Sequence, residues 1–512
     1  MNNIKYLLLS LFIVLFTSAF FLYANQSFLF GRDSVNFSSV LGVFIRSSIE
    51  LSLMFILLSF FRNRWIRAGI SILFALILTL VLSFELKYGG LSHGIVASVI
   101  DSTVKESYEY VFSVNLGVEV LFFILLFILM LSISSIKSNC VYFFYIPLLI
   151  SSLLVLSFYH SKKERDDGGE KEPLFAYSSN ILSFANTIKE TFEFIESEKV
   201  PIVNKWSAVK VSDENVNYVV IIGESVQQKM FKDEVVSPAF SEITQHWLSY
   251  TNVISPSNLT RFSVPRILSV NNNDNVNKSL NIIDLAGMAN LTTHWFSNQS
   301  QTGVHDSPIA QLSRKADHVI YHSFDFSFAG YDSILLDDLK FALTKNSGNN
   351  MFFLHMMGSH PDFCNRVEYD EAHPNYINRN QKLCYKDSVR SLIYFIDAIS
   401  NILSHYDTPY KIVYLSDHGL TDINDSPYKT HGTKNKFSRD AVHVPFVFVD
   451  SSIERGNIEY DDRLYFLRDF PHTFASWIGV TSANTMPSLS IEKCDSCQVP
   501  YVYDGITKRQ LN

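Results

Sequence analysis

Hydrophobic residues are distributed unevenly along this chain, and two patterns divide it. Long uncharged runs fill the first third, whereas shorter apolar runs alternate with polar, helix-spaced stretches from about residue 213 onward. About 20 consecutive apolar residues are enough to cross the roughly 30 Å hydrocarbon core of a bilayer. Near-continuous apolar strands separated by helices are typical of a largely parallel sheet that is covered on both faces. The pattern therefore predicts a membrane domain followed by an α/β domain.

Five apolar runs in the first third are predicted to be membrane spans. They are residues 6–24, 47–61, 68–84, 118–136 and 141–159. Lys5 precedes the first run, Arg62, Arg64 and Arg67 lie between the second and third, and Lys137 lies between the fourth and fifth. All of them lie on the cytoplasmic side if the N-terminus is cytoplasmic, as the bias of these residues in short loops favours. The odd number of spans then exports everything after residue 160. A cleaved signal peptide is the alternative for the first run, but it has no convincing small-residue cleavage site.

These changes in pattern predict that the chain has three parts. A membrane domain covers 1–160 and contains an exported loop at 86–117, a linker with a membrane-surface helix covers 161–212, and an exported α/β domain covers 213–512. The exported loop has the apolar spacing of an amphipathic helix at a membrane surface. The linker begins with a charged, glycine-containing stretch and continues into NILSFANTIKETFEFIESEK, which has helical spacing of apolar residues.

Net charge and cysteine usage narrow the class of protein. The formal net charge is −8 at pH 7 with neutral histidines, which is unfavourable for binding nucleic acid. Four cysteines, Cys364, Cys384, Cys494 and Cys497, lie in the exported part, where disulfides form and persist. The simplest pairing joins Cys364 to Cys384 and Cys494 to Cys497. A zinc site built from all four is the alternative.

Polar residues stand where three apolar strands of the α/β domain end. Glu224 follows YVVIIG, His360 follows MFFLHMMGS, Asp417 and His418 follow KIVYLS, and His431 lies in the next loop. The carboxyl ends of the strands in a doubly wound sheet meet along one edge, so these side chains can converge. Each has an ordinary explanation when taken alone, such as an acid near a helix N-terminus or a solvated histidine. Their joint placement favours a functional site.

Two carboxylates and an imidazole in one place indicate a bound cation, because unpaired charges are costly to bury. Carboxylate oxygen together with imidazole nitrogen suits Zn²⁺, with Mn²⁺ as the alternative. We therefore predict that Glu224, Asp417 and His418 are metal ligands. Thr260, within TNVISPSNLTRFSVPRILS, is the candidate fourth ligand and nucleophile, since coordination lowers the pKa of a hydroxyl. Taken alone, this threonine is also typical of a helix cap or a turn.

The residues and their order resemble the phosphoethanolamine transferases of Gram-negative envelopes, members of the alkaline phosphatase/sulfatase superfamily. The matching motifs are IIGES with Glu224, LTRFSVP with Thr260, MGSH with His360, SDHG with Asp417 and His418, and THG with His431. The resemblance implies an N-terminal five-helix transmembrane domain and a C-terminal α/β, alkaline phosphatase-like (sulfatase) domain with a largely parallel central sheet. It also implies an inner-membrane protein whose catalytic domain, 213–512, lies in the periplasm.

The same resemblance implies a zinc-dependent transfer in two steps. Phosphoethanolamine would pass from the membrane lipid phosphatidylethanolamine to Thr260, and then to lipopolysaccharide, either a core sugar or lipid A. His360 and His431 match the family's substrate-phosphate positions, while Asp101 and Glu106 resemble its donor-binding segment.

One further segment bears on the acceptor. SNQSQTGVHDSP, residues 297–308, is more similar to the branch that modifies the core sugars of lipopolysaccharide. A phosphoglycerol transferase, a metal-dependent hydrolase and a catalytically silent scaffold of the same fold remain alternatives at this point.

Overall fold

The structure is a computed structural model, and it describes most of the chain after residue 175 and part of what precedes it. The described residues are 60–61, 63–88, 93–101, 120, 123–124, 127, 176–197, 200–207, 215–236, 246–272, 275–300, 307–323, 330–346, 348–361, 363–367, 380–422, 429–430, 438–453, 458–492, 501–504 and 507–511. Contacts between residues divide the chain into two compact units. The first contains 1–91, 114–190 and 433–436, and the second contains 92–113, 191–432 and 437–512. The predicted domain boundaries at 160 and 212 stay predictions.

In the described residues before the α/β part of the chain, the structure has three helices. They are α1 (Arg64–Tyr88), α2 (His93–Asp101) and α3 (Ala176–Ser197). The third predicted span, 68–84, lies within α1, and α3 contains most of the predicted membrane-surface helix. No helix among the described residues meets the length and apolarity that a membrane crossing requires. The first and fifth predicted spans lie outside the described residues, and only a few positions of the second and fourth are described.

An eight-stranded sheet forms the centre of the second unit. Its strands are β1 (Asn217–Gly223), β2 (Trp247–Ile254), β5 (Thr292–Ser300), β6 (His318–Ser323), β7 (Asn350–His355), β8 (Tyr410–Ser416), β11 (His443–Asp450) and β12 (Ile458–Phe466). Their spatial order is β12-β2-β11-β8-β1-β7-β5-β6. Neighbouring strands are parallel except that β11 runs antiparallel to both β2 and β8. The prediction of an α/β domain with a largely parallel sheet is confirmed.

Helices and short two-stranded ribbons complete this unit. The helices are α4 (Gln228–Val235), α5 (Thr260–Leu268), α6 (Ile282–Met288), α7 (Pro308–Ser313), α8 (Ile334–Lys345), α9 (Gln381–Leu403) and α10 (Phe470–Trp477). The ribbons pair β3 (Ser269–Asn272) with β4 (Asn275–Asn281), β9 (Thr421–Asp422) with β10 (Lys429–Thr430), and β13 (Tyr501–Asp504) with β14 (Thr507–Gln510). In the part of this unit that the structure describes, 3₁₀ turns lie at Phe363–Arg366, Arg439–Ala441, Leu467–Asp469 and Pro487–Leu489.

The two faces of the sheet belong to two separate apolar cores. Because side chains alternate across a strand, Val220 and Ile222 of β1 join one core with residues of α6 and α10. Val219 and Ile221 join the other core with residues of α8 and α9. Every residue of β1 is buried. This explains why the strand is an almost unbroken apolar run, and why the first charged side chain, Glu224, comes only after the strand ends.

A disulfide joins Cys364 to Cys384, which links the 3₁₀ turn at Phe363–Arg366 to α9. This pairing from the sequence is confirmed. The alternative of a four-cysteine zinc site is wrong, because two of its sulfur atoms are bonded to each other. Cys494 and Cys497 lie outside the described residues.

Candidate metal centre

Glu224 and Asp417 reach the same place because their strands are adjacent, parallel and in register. Gly223 at the end of β1 is paired with Ser416 at the end of β8, so the next residue of each strand leaves the sheet at the same level. The Asp417 amide donates to the Gly223 carbonyl at 3.0 Å and extends the ladder by one bond. Glu224, Asp417 and His418 each offer one ligand atom, and these atoms all lie within 4.8 Å of one another.

The Thr260 hydroxyl lies against this group of three. Its Oγ1 donates to Glu224 Oε2 at 2.9 Å and lies 3.2 Å from His418 Nε2. His418 Nε2 is 3.2 Å from Glu224 Oε1 and 3.5 Å from Asp417 Oδ2. The structure thus brings together the four side chains that the sequence analysis predicted to form a metal site, including the predicted nucleophile. Their roles remain predictions at this point.

Thr260 is the first residue of α5, and two serines fix that helix to the strand carrying Asp417. Leu259 is the N-cap residue, so the threonine is not itself the cap and its hydroxyl is available to the cluster. The Ser263 hydroxyl donates to the backbone carbonyl of Asp417 at 2.5 Å. Ser255, in the loop before the helix, donates to the same carbonyl. The start of α5 is therefore joined to the residue that follows β8.

The orientation of the His418 ring leaves one nitrogen facing the cluster. Nδ1 is 2.7 Å from the Gly419 carbonyl, which can only accept a hydrogen bond, so Nδ1 carries the proton. Nε2 is then the nitrogen that can bind a metal, the usual arrangement when a histidine's other nitrogen is held by a carbonyl. A side chain at Gly419 would collide with the Asp440 carbonyl, which explains the glycine after this pair.

The electrostatics of the buried group favour the binding of a cation. Burial and the nearby negative charge of Glu224 raise the pKa of Asp417 to about 8. Burial opposes a charged imidazole, but Asp417 and Glu224 outweigh it and raise the pKa of His418 to about 9. Burial also acts to raise the pKa of Glu224, yet His418 and His360 lower it well below its ordinary range. Two carboxylates here are stable as anions only with a cation beside them.

The ligand atoms of the cluster fit a metal ion. Asp417 Oδ2 is buried and accepts no hydrogen bond from the described residues, while Oδ1 is held by the amides of Ser225 and His418 at 3.2 and 2.7 Å. A buried carboxylate oxygen without a donor is costly unless something positive occupies its lone pairs. Two carboxylates, one imidazole and one hydroxyl supply the four ligands of a tetrahedral site.

A turn with a strained backbone at Ser225 positions the Glu224 side chain within the cluster. Ser225 has a φ of 62°, in the left-handed region that few residues other than glycine adopt. Its backbone carbonyl accepts a hydrogen bond from the Tyr385 hydroxyl at 3.0 Å, and its own hydroxyl donates to Glu224 Oε1 at 2.6 Å. Sequence reasoning did not identify Ser225, because a polar residue after a strand is common and its conformation follows from contacts with a distant helix.

The predicted histidine at position 360 lies on a turn packed against Glu224. The Ser359 amide donates to the Glu224 carbonyl at 3.0 Å. Gly358 has a φ of 52°, and a Cβ there would lie 2.9 Å from the Glu224 backbone nitrogen. Both the backbone angle and the close approach require glycine at this position. His360 is near enough to Glu224 to lower the pKa of that carboxyl.

The remaining predicted residues are only partly placed. Asp101 is the last residue of α2, whose Ala97 shares a small apolar cluster with Leu259 and Phe262 on either side of Thr260. Helix α2 therefore packs beside α5, the helix that begins with Thr260. Glu106 and His431 lie outside the described residues.

Sequence reasoning also missed the role of Gln299, although it lies within the segment 297–308. Its amide nitrogen donates to Glu224 Oε2 at 3.1 Å. The available indication was its position at the carboxyl end of another parallel strand, β5.

Comparison with known proteins gives a consistent result. The Sulfatase family model matches residues 216–480, which is over half of the chain. The phosphoethanolamine transferase OpgE of Escherichia coli (strain K12) is 25% identical over 326 residues, which cover 60% of this chain and 59% of OpgE. The match thus spans less than two thirds of that relative's length.

Two solved structures share the fold. The integral membrane protein lipooligosaccharide phosphoethanolamine transferase A from Neisseria meningitidis is 17% identical, with a TM-score of 0.66, and the match covers 94% of this chain and 97% of that one. The C-terminal periplasmic domain of EptC from Escherichia coli, in complex with Zn, is 17% identical with a TM-score of 0.50 and covers 59% of this chain and 93% of its own. From the extent of the family match and the observed α/β fold, this chain is a member of the sulfatase family, and within it resembles the phosphoethanolamine transferases.

Proposed function

We propose that this chain is a zinc-dependent phosphoethanolamine transferase with phosphatidylethanolamine as donor and lipopolysaccharide, at a core sugar or at lipid A, as acceptor. The observation that carries the proposal is the position of the Thr260 hydroxyl, 2.9 Å from Glu224 and 3.2 Å from His418 in a buried cluster of ligand atoms. The group that is transferred is inferred from the relatives, whose names give phosphoethanolamine.

In this proposal Glu224, Asp417, His418 and Thr260 hold the metal. Zn²⁺ is favoured over Mn²⁺ by the imidazole ligand and the small number of donors. The EptC domain crystallised with Zn supports the same choice. When bound, the ion supplies the positive charge that lowers the pKa of an adjacent hydroxyl and offsets the charge on the phosphate.

The chain's own residues then carry out two displacements. Thr260 Oγ1 forms a bond to the donor phosphorus as the bond from phosphorus to the diacylglycerol oxygen breaks, and the hydroxyl proton ends on diacylglycerol. An acceptor oxygen next attacks the same phosphorus, the bond to Thr260 breaks, and the threonine regains a proton from the acceptor. The buried hydroxyls of Ser255 and Ser263, which donate to the Asp417 carbonyl, keep the nucleophile in place during both steps.

The other predicted residues bind the substrate. His360 and His431 are assigned to the phosphate oxygens, where donors stabilise charge that develops in transfer. Asp101 and Glu106 are assigned to the ethanolamine ammonium of the donor. The packing of α2 beside Leu259 and Phe262 supports a donor segment near Thr260.

The proposed location follows from the donor. A membrane lipid can reach Thr260 only if the catalytic domain stays at a bilayer surface, so we assign the first 160 residues to five inner-membrane spans and the catalytic domain to the periplasm. The five apolar runs support this, as does the match over 94% of this chain to a protein described as an integral membrane protein.

The test is to trap the intermediate on the purified full-length chain. The chain is incubated with phosphatidylethanolamine, without acceptor, and the peptide containing Thr260 is analysed by mass spectrometry. The proposal predicts the added mass of phosphoethanolamine on Thr260, whereas phosphoglycerol would identify the alternative transferase. Continuous release of the headgroup without acceptor would identify a hydrolase, and no adduct together with no bound zinc would identify a silent scaffold. Lipopolysaccharide masses from cells with and without this chain, with core and lipid A analysed separately, identify the acceptor.

A further inference from the structure

Three consecutive polar side chains at the carboxyl end of β5 contact the supports of the metal centre. Ser297 Oγ is 3.0 Å from His355 Nδ1 on the neighbouring strand β7. Asn298 Nδ2 donates to Asp332 Oδ1 at 2.9 Å. Gln299 Nε2 donates to Glu224 Oε2 at 3.1 Å. Of the three, only Gln299 touches a predicted metal ligand, so its contacts decide what this segment can do.

The amide of Gln299 has one orientation that satisfies its surroundings. Its nitrogen is 3.1 Å from the Glu224 carboxylate and 2.8 Å from the Met356 carbonyl. Both neighbours can only accept, so the NH₂ end must face them. One amide group therefore uses its two hydrogens to join the side chain of Glu224 to the backbone at the end of β7.

Glu224 is held by a different donor on each of its oxygens. Ser225 donates to Oε1 at 2.6 Å, while Gln299 donates to Oε2, the oxygen that also accepts the Thr260 hydroxyl. A carboxylate fixed at both oxygens has little freedom to rotate about its last bond. Outer residues that fix a ligand in this way commonly change metal affinity by about 10- to 100-fold when they are replaced.

We propose that Gln299 is a positioning residue for Glu224: its amide holds the carboxylate in the orientation that binds the metal and receives the Thr260 hydroxyl. Ser225 is one residue from Glu224 and moves with the same turn. Gln299 lies 75 residues away on β5. Its hydrogen bond therefore fixes the Glu224 carboxylate relative to a separate strand of the sheet. The inference rests on the metal site of the proposed function, but not on the identity of the transferred group or of its acceptor.

The test compares Gln299→Met with Gln311→Met in the full-length chain. Methionine has the length of glutamine but no hydrogen to donate. The control residue Gln311 lies on α7, where its Oε1 accepts from Lys278 Nζ at 3.0 Å. Zinc affinity is measured by competition with a chelator, and the visible spectrum of the Co²⁺-loaded protein reports the ligand geometry. The thermal midpoint of the metal-free protein shows whether each variant is folded, and Gln299→Ala replaces Gln299→Met if the latter does not fold.

We expect Gln299→Met to weaken zinc binding by about tenfold and to change the Co²⁺ spectrum, while Gln311→Met changes neither. A loss of affinity of about threefold or more, specific to Gln299, carries the proposal. A smaller loss, or an equal loss in Gln311→Met, overturns it and leaves Gln299 as a structural link between β5 and β7. A wild-type chain that binds no zinc would instead overturn the metal site itself, so the two failures are distinguishable.

Discussion

Gly223 and Ser416 are paired across the parallel strands β1 and β8, and this register places Glu224 beside Asp417. The two acids are 193 positions apart in the chain, yet each is the first residue beyond its strand. Parallel pairing makes their meeting a consequence of strand register and not of loop conformation. We therefore expect a change in the residues that pack on these two strand ends to disturb the candidate site.

Replacing Ser263 with alanine should reduce activity more than stability. The variant loses the hydrogen bond from α5 to the Asp417 carbonyl, at a cost of about 1 kcal/mol in the free energy of unfolding. Because α5 carries Thr260, we expect kcat to fall by about tenfold, since small misplacements of a nucleophile are costly. The control is Ser400→Ala, which removes an equally buried hydroxyl that bonds only within α9. Denaturant unfolding and steady-state transfer rates check both variants, and equal kcat values in the two would contradict the prediction.

Gly358→Ala should destabilise the turn that carries His360. A Cβ at this position meets the Glu224 backbone at 2.9 Å, and the φ of 52° adds about 1–2 kcal/mol for any side chain. We expect a loss of at least that size in the free energy of unfolding, together with weaker substrate binding. In contrast, Gly287→Ala lies in α6, where nothing approaches within 4 Å of the new Cβ. That control should be neutral or slightly stabilising, and a similar loss in both variants would show that close packing on Glu224 is not the cause.

Asp332 should be required for the same turn. One carboxylate accepts the amides of Met357 and Gly358, each at 2.8 Å. Asparagine has only one accepting atom, so Asp332→Asn leaves one of these amides without a partner and should cost about 1.5–3 kcal/mol in the free energy of unfolding. The matched control is Asp337→Asn, because the Asp337 side chain is 77% exposed and its pairing with Lys340 is a surface interaction. Chemical denaturation distinguishes the two, and a cost below about 0.5 kcal/mol for Asp332→Asn would contradict the prediction.

His418→Ala should remove zinc and activity together. His418 is fully buried, and its Nε2 lies within 3.5 Å of both acids and of the Thr260 hydroxyl. The control is His405→Ala, which replaces an exposed histidine two residues beyond α9 whose Nδ1 contacts the Asn401 carbonyl. Metal content by elemental analysis and transferase activity should be unchanged in the control. An unchanged zinc content in His418→Ala would show that the ligand set has been assigned wrongly.

The strands near the site could be predicted from the sequence, because a strand that is buried on both faces is a continuous run of apolar residues. The runs beginning at 218 and 411 correspond to β1 and β8, and residues 443–450 correspond to β11. The direction of β11 was not predictable, because an apolar run is the same in either direction and its antiparallel pairing depends on the connection from β8. The run at 351–360 ends earlier as a strand, at His355, because the following residues turn onto Glu224.

The sequence predicted which side chains converge at the candidate site, but not the residues that hold them there. Glu224, Asp417 and His418 follow apolar strands, a position that local sequence shows. Helix α5 has no clear pattern, since Pro265 lies in its interior where proline is unfavourable. Thr260 was therefore found through its motif and not through its helix. Gln299 and Asp332 contact segments that are distant in the sequence. A polar residue in a strand end or a loop is common, so the sequence alone does not indicate such contacts.

The most direct test of the central claim is a crystal structure of the zinc-loaded full-length chain with anomalous scattering measured at the zinc edge. The account predicts an anomalous peak about 2.0–2.2 Å from oxygen or nitrogen atoms of Glu224, Asp417, His418 and Thr260. A zinc ion bound elsewhere, with the Thr260 hydroxyl outside its coordination shell, would contradict the account.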